Sequence, residues 1–126
     1  MIRYRYVAES QPPAPFVKVA IRCPTSGRHV DQVPAQVDTG SDCTVLPSAV
    51  VSALDLVQVG QYECQGFQGV IMPFPVFLVA VSIHDMPPVE VRAILGDRQS
   101  YVLLGRDVLN AHRIVLDGPG LALEIG

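Results

Sequence analysis

Asp38 heads the stretch Val37-Asp38-Thr39-Gly40-Ser41-Asp42-Cys43-Thr44-Val45-Leu46, and a carboxylate perched on a tight glycine turn can act as an acid or base toward a bound water. Ala35 and Val37 alternate with polar Gln36 like a half-buried strand, Thr39-Gly40 turns the backbone, and Thr44-Val45-Leu46 returns to a core. Asp38 is thereby placed where strand meets turn. Downstream, Tyr101-Val102-Leu103-Leu104-Gly105-Arg106-Asp107-Val108-Leu109 reads as an apolar strand, a glycine and the charged start of a short helix. An Asp-Thr-Gly tripeptide alone arises by chance and marks any loop; the two stretches together are specific.

Paired-aspartate peptide hydrolysis needs two carboxylates that share one proton, one to deprotonate a water and one to protonate the carbonyl oxygen. This chain offers one such loop. Asp117-Gly118 lacks an intervening Thr or Ser, and Asp97 precedes Arg98 in an expected loop, so neither is a twin for Asp38. If the chain does that chemistry, its second carboxylate would be Asp38 of another copy, because a two-fold axis brings a residue near it face to face with itself.

The two stretches resemble the retropepsin-like aspartic proteases, the single-lobed family that includes retroviral proteases and related domains in cells and bacteria. The resemblance runs from about Pro34 to the C-terminus. It implies an all-β, closed, barrel-like fold with one or two short helices, and a two-fold symmetric homodimer that cuts peptide or protein substrates. Asp38, Thr39 and Gly40 would be the catalytic residues, with the Thr39 hydroxyls locking the two loops across the axis. Substrate would be bound by Gly40, Ser41 and Asp42 and by a flap comprising Gly66, Phe67, Gln68 and Gly69. Leu104, Gly105, Arg106 and Asp107 would support the loop, Arg106 by a bidentate grip on Asp42. Retroviral members often have Ala in place of Ser41 and Asn in place of Asp107. The Ser41 hydroxyl is in a position to donate to the Asp38 carboxylate, favour its charged form and lower the pKa values of the pair.

The elements that must position these groups are short and mostly extended. Ile2, Tyr4 and Tyr6 alternate with Arg3 and Arg5 as a strand, and Ser10 to Pro15 is a proline-rich extended connection, so residues 1–15 read as an arm and linker and 16–126 as the domain. Phe16 to Arg22 is a strand, Pro24 to Gly27 a turn, and His29 to Val37 a second strand interrupted by Pro34. Pro47 suits the first position of a helix running to Leu54. Val57 to Cys64 and Val70 to Val81 flank Gln65-Gly66-Phe67-Gln68-Gly69 as a long hairpin, whose tip serves equally as a plain connector or, by its resemblance to the family, as a flap. Val89 to Leu95 and Val102 to Leu104 are strands, Arg106 to Ala111 a helical turn or two, and a final hairpin turns at Asp117 to Gly120. Many short strands without repeats predict an all-β barrel or sandwich.

Composition excludes other classes. The 126 residues make one domain, enough to bury roughly two-thirds of the unfolded surface and too few for a second lobe. Hydrophobic residues are 49% and mean hydropathy is +0.33, rich for a small domain, and a homodimer would cover some of that surface. A net charge of −3 disfavours nucleic acid and anionic membranes. The longest apolar run, Val70 to Val81, is broken by Pro73 and Pro75 and falls short of a bilayer span of ~20 residues. Cys23, Cys43 and Cys64 fit neither a zinc pattern nor a disulfide framework, and no signal-peptide core precedes them, so reduced thiols in a cytoplasmic protein are expected, with no metal or other cofactor. His29, His84 and His112 bear no thiol-protease relation to Cys43, and Ser41 lacks a nucleophile elbow. The remaining alternative is a retropepsin-like module that dimerises and holds peptides without cutting them.

Overall fold

A computed structural model describes residues 1–65 and 67–126. The elements run β1 (Ile2–Arg5), β2 (Phe16–Arg22), β3 (His29–Val37), β4 (Val45–Leu46), α1 (Ser48–Ala53), β5 (Gly60–Gln65), a 3₁₀ turn (Phe67–Gly69), β6 (Ile71–Ile83), β7 (Val89–Leu95), β8 (Val102–Leu104), α2 (Arg106–Leu109), β9 (Ile114–Asp117) and β10 (Ala122–Ile125). The larger sheet has the order β2-β3-β8-β4-β7-β6-β5, and an added β2–β6 pairing closes six of its strands into a barrel, leaving β5 outside on β6. This is the all-β closed fold expected from the sequence.

Alternation explains the closure. On β2, Val17, Val19 and Ile21 point inward while Lys18 and Arg22 stay exposed, and Ala35 and Val37 on β3 meet them. Val79, Val81 and Ile83 of β6, Ala93 of β7, and Val102 and Leu104 of β8 complete a core in which each is essentially solvent-free. Each such aliphatic side chain contributes about 1.5–3 kcal/mol relative to exposure. Leu54 beyond α1 and Val108 and Leu109 of α2 are buried in the same core cluster.

The prolines sit where their missing N–H groups are tolerated, and two expectations are corrected. Pro34 does not interrupt β3; it opposes Lys18, and the ladder to β8 begins only at Ala35. The irregularity lies instead at Gln32, with φ of 55°, opposite a register shift between Val19 and Ile21. Pro47 is not the first helical residue but the cap before Ser48, and the Ser48 N–H is taken by the Asp97 carboxylate at 2.9 Å. Those bonds hold the Asp97 carboxyl below the usual carboxylate range. Pro73 and Pro75 lie on the part of β6 that pairs with β5 alone.

A second, three-stranded sheet has the order β1-β10-β9, so the first strand of the chain lies on the last, Ile2 opposite Ile125. Leu123 and Ile125 face the core, with Ile2, Tyr4 and Tyr6 packed against it. Among the described residues no helix is long and apolar enough to cross a membrane.

Candidate active site

Asp38 stands at the end of β3 because two parallel-paired strands deliver it there. Ala35, Gln36 and Val37 register against Val102, Leu103 and Leu104 of β8, and the Asp38 N–H continues the ladder by donating to the Leu104 carbonyl at 3.0 Å. The chain then turns: Gly40 N–H donates to Asp38 Oδ1 at 3.1 Å, and Ser41 N–H to the Asp38 carbonyl at 3.2 Å. Asp38 is half-buried, whereas Thr39 and Gly40 are exposed. The Asp38 carboxylate is thus anchored from behind and open at the loop tip.

The loop is held from below by the second motif. Arg106 donates from Nη1 to the Thr39 carbonyl at 2.7 Å and pairs through Nη2 with Asp42, so one guanidinium grips both halves of the turn. The Arg106 N–H also donates to the Ser41 carbonyl at 2.9 Å. Gly105 is needed for close approach, since a Cβ there would lie 2.5 Å from the Cys43 carbonyl carbon. Leu104 and Val102 anchor this strand in the core.

Asp107 has a role that the sequence reading named only as general support. Its carboxylate accepts the Thr44 N–H at 3.0 Å, the Thr44 hydroxyl at 2.8 Å and the Val108 N–H at 2.9 Å. Thr44 is fully buried, and its hydroxyl in turn accepts the Gly105 N–H at 3.2 Å, which ties loop, strand and helix into one network. The only hint in the sequence was an acidic residue in the first turn of a helix.

Ser41 does not reach Asp38. Its hydroxyl donates to the Cys43 carbonyl at 2.7 Å, because the turn that brings Ser41 N–H back to Asp38 points the side chain along the returning strand. The expected tuning of Asp38 by Ser41 is therefore replaced by a brace within the loop. Of the other carboxylates weighed as partners for Asp38, Asp97 is engaged by Ser48 and Asp117 by the Gly120 N–H at 3.0 Å.

The β5–β6 hairpin projects beside this loop. Its tip holds Gln68 with φ of 66° and Gly69 with φ of 76°, consecutive left-handed residues of which the second suits glycine. Gly66 and the Phe67 side chain, expected at this tip, lie outside the described residues. Under the hairpin is a cavity of about 500 Å³ lined by Val45, Cys64, Met72, Phe74, Leu95 and Leu103, and beside it one of about 470 Å³ that includes Asp42, Cys43 and Tyr62. The surfaces between the hairpin and the Asp38 loop thus combine apolar side chains with charged ones, Asp42, Glu90, Arg92 and Asp107 in one cavity and Asp97 and Arg98 in the other.

A closed barrel with one Asp-Thr-Gly loop braced by a Gly-Arg-Asp turn defines the retropepsin-like, single-lobed aspartic protease fold. The sequence profile of the aspartyl protease family matches residues 23–108, and the chain belongs to that family. Among solved structures, a retropepsin-like aspartic protease from Rickettsia conorii superposes with a TM-score of 0.62 at 12% identity, over 99% of this chain and 91% of that one. The EIAV protease complexed with the inhibitor HBY-793 gives 0.51 at 25% identity, over 86% and 93%. The retroviral protease-like domain of Ddi1 from Leishmania major gives 0.53 at 16% identity, over 87% of each chain. The chain spans only 16% of the foamy viral protease-reverse transcriptase that it also resembles. No curated protein matches the chain closely in sequence.

Proposed function

We propose that this chain is an aspartic endopeptidase whose active site is completed by a second copy of itself. The observation that carries the reading is the single Asp38 loop, anchored on three sides but exposed at Thr39 and Gly40, where a two-fold axis would place the partner's identical loop. One Asp38 carboxylate deprotonates a water, which attacks the peptide carbonyl; the other, protonated, donates to the carbonyl oxygen. Collapse of the tetrahedral intermediate returns a proton to the leaving amine and restores the shared proton.

Within this reading Thr39 bonds across the axis, Gly40, Ser41 and Asp42 line the strand-shaped substrate path, and Gly66 to Gly69 cover it. Exposed Tyr62, Val70, Ile71 and Met72 on the hairpin, and Val115, Leu116 and Leu121 on the terminal sheet, supply apolar surface for substrate and partner. The test is cleavage of a mixed peptide library read by mass spectrometry, for the parent chain and for Asp38→Asn. Loss of cleavage in the variant, with folding and dimerisation kept, and poisoning of parent activity by excess variant are the expected results. A monomer by sedimentation at concentrations that cut peptide overturns the dimeric site. A dimer that binds peptides but never cuts them makes the chain a binding module instead.

A further inference from the structure

The cavity of about 500 Å³ under the hairpin adjoins the strand that carries the Asp38 loop: Leu103 of β8 lines it, and the next carbonyl, that of Leu104, accepts the Asp38 N–H. Part of its rim is the connection from β7 to β8, residues 96–101, and that connection is fastened at both ends. The Gly96 N–H donates to the Leu46 carbonyl at 3.0 Å, and the Asp97 carboxylate accepts the Ser48 N–H at 2.9 Å. At the far end Tyr101 packs edge-on against Phe16, ring centroids 4.8 Å apart. Arg98 lies between these anchors, exposed and lining the cavity. Among the described residues it forms no ion pair.

We propose that Arg98 sets the charge specificity of this groove, pairing with a carboxylate of a bound peptide whose bulky apolar side chain fills the cavity. What becomes of the peptide rests on the protease reading; the binding preference does not. In an extended peptide, side chains two residues apart point the same way, about 7 Å from each other. A glutamate two positions from the seated residue therefore comes level with the rim, where the Arg98 guanidinium can meet it with two parallel hydrogen bonds.

Three features favour this occupant. The walls are largely apolar, Val45, Met72, Phe74, Leu95 and Leu103 among them, so the seated side chain contributes affinity by burial and leaves charge selection to the rim. The other charge on that rim, the Asp97 carboxylate, is engaged by the Ser48 N–H, so a lysine on the peptide gains little from Asp97 and faces the like charge of Arg98. Fastening of residues 96–101 at both ends also lowers the ordering cost of the contact. The chain as a whole carries a net charge of −3 and repels acidic peptides at long range, so a preference for them has to arise from local contact.

The experiment uses the full chain carrying Asp38→Asn, so that bound peptide stays intact, and fluorescent peptides with one phenylalanine flanked two residues away on both sides by Glu, Gln or Lys. Anisotropy titrations should rank them Glu, Gln, Lys, with about tenfold in Kd between the extremes at low salt and less as salt is added. Arg98→Glu in the same background should invert the order and Arg98→Gln should level it, each with the Tm of the background, because the side chain is exposed. An order that survives Arg98→Glu overturns the proposal, as does equal binding of the three peptides, or binding of none of them at millimolar concentration. The same peptides are then offered to the chain with Asp38 intact. Binding in the expected order without cleavage removes the protease reading and leaves the role of Arg98 standing; cleavage blind to the flanking charge does the reverse.

Discussion

The Asp107 carboxylate holds the backbone N–H of Thr44 at 3.0 Å and its side-chain hydroxyl at 2.8 Å, so a residue of the second motif fixes the point where the Asp38 loop re-enters the barrel. Removing it strands two buried donors on Thr44, at a cost that exceeds the net worth of the bonds themselves. Asp107→Ala should lower stability by about 3 kcal/mol by urea denaturation. Asp107→Asn, which keeps one acceptor, should lose less than half of that.

Arg106 acts on position more than on stability, because its side chain and that of Asp42 are 44% and 72% exposed. Lysine cannot reach the Thr39 carbonyl and Asp42 together. Arg106→Lys should leave Tm nearly unchanged yet reduce kcat/KM on the order of 100-fold, as expected when a reacting group is misplaced by an ångström. Equal losses in both readouts would make Arg106 a stability residue instead.

At Gly105 the constraint is contact, not backbone conformation, since φ is −86°. A Cβ would meet the Cys43 carbonyl carbon at 2.5 Å and its oxygen at 2.6 Å, both of them backbone atoms that cannot swing aside. Gly105→Ala should cost about 2–3 kcal/mol of stability and most of the proposed peptidase activity, because the Asp38 loop itself must shift. Thermal unfolding and peptide cleavage on the same preparation check both.

Ser41→Ala removes the bond to the Cys43 carbonyl and no bond to Asp38. The bell-shaped rate profile expected of two coupled carboxylates should therefore keep its acid limb in the variant, with faster hydrogen exchange in the loop. An acid limb displaced to higher pH would show that Ser41 reaches the carboxylate in the working dimer.

Cys43 predicts an alkaline limit to stability. Its thiol titrates near 12 in the fold and near the ordinary value of 9.0 when unfolded, with burial the main cause. Below pH 9 both states hold the proton and the stabilisation is complete; between 9 and 12 the unfolded chain loses it first, so stability falls as pH rises. Cys43→Ala should fall less steeply over that window, as Tm against pH would reveal.

Sequence by itself marked most of the elements and the braced Asp38 loop. Period-two alternation marks β2 and β7 to the residue, and the match of Asp38-Thr39-Gly40 with Gly105-Arg106-Asp107 marks the braced loop and the Arg106–Asp42 pair. Those signals are local, carried by residue types within a few positions of each other. Only the tertiary structure decided that Ser41 turns to Cys43, that Asp107 reaches Thr44, that Asp97 caps α1 and that Pro34 fits inside β3. Each depends on the direction of one side chain or on which strands close the barrel, and a hydrogen bond spanning an ångström or two of tolerance between residues up to 63 apart leaves no periodicity to read.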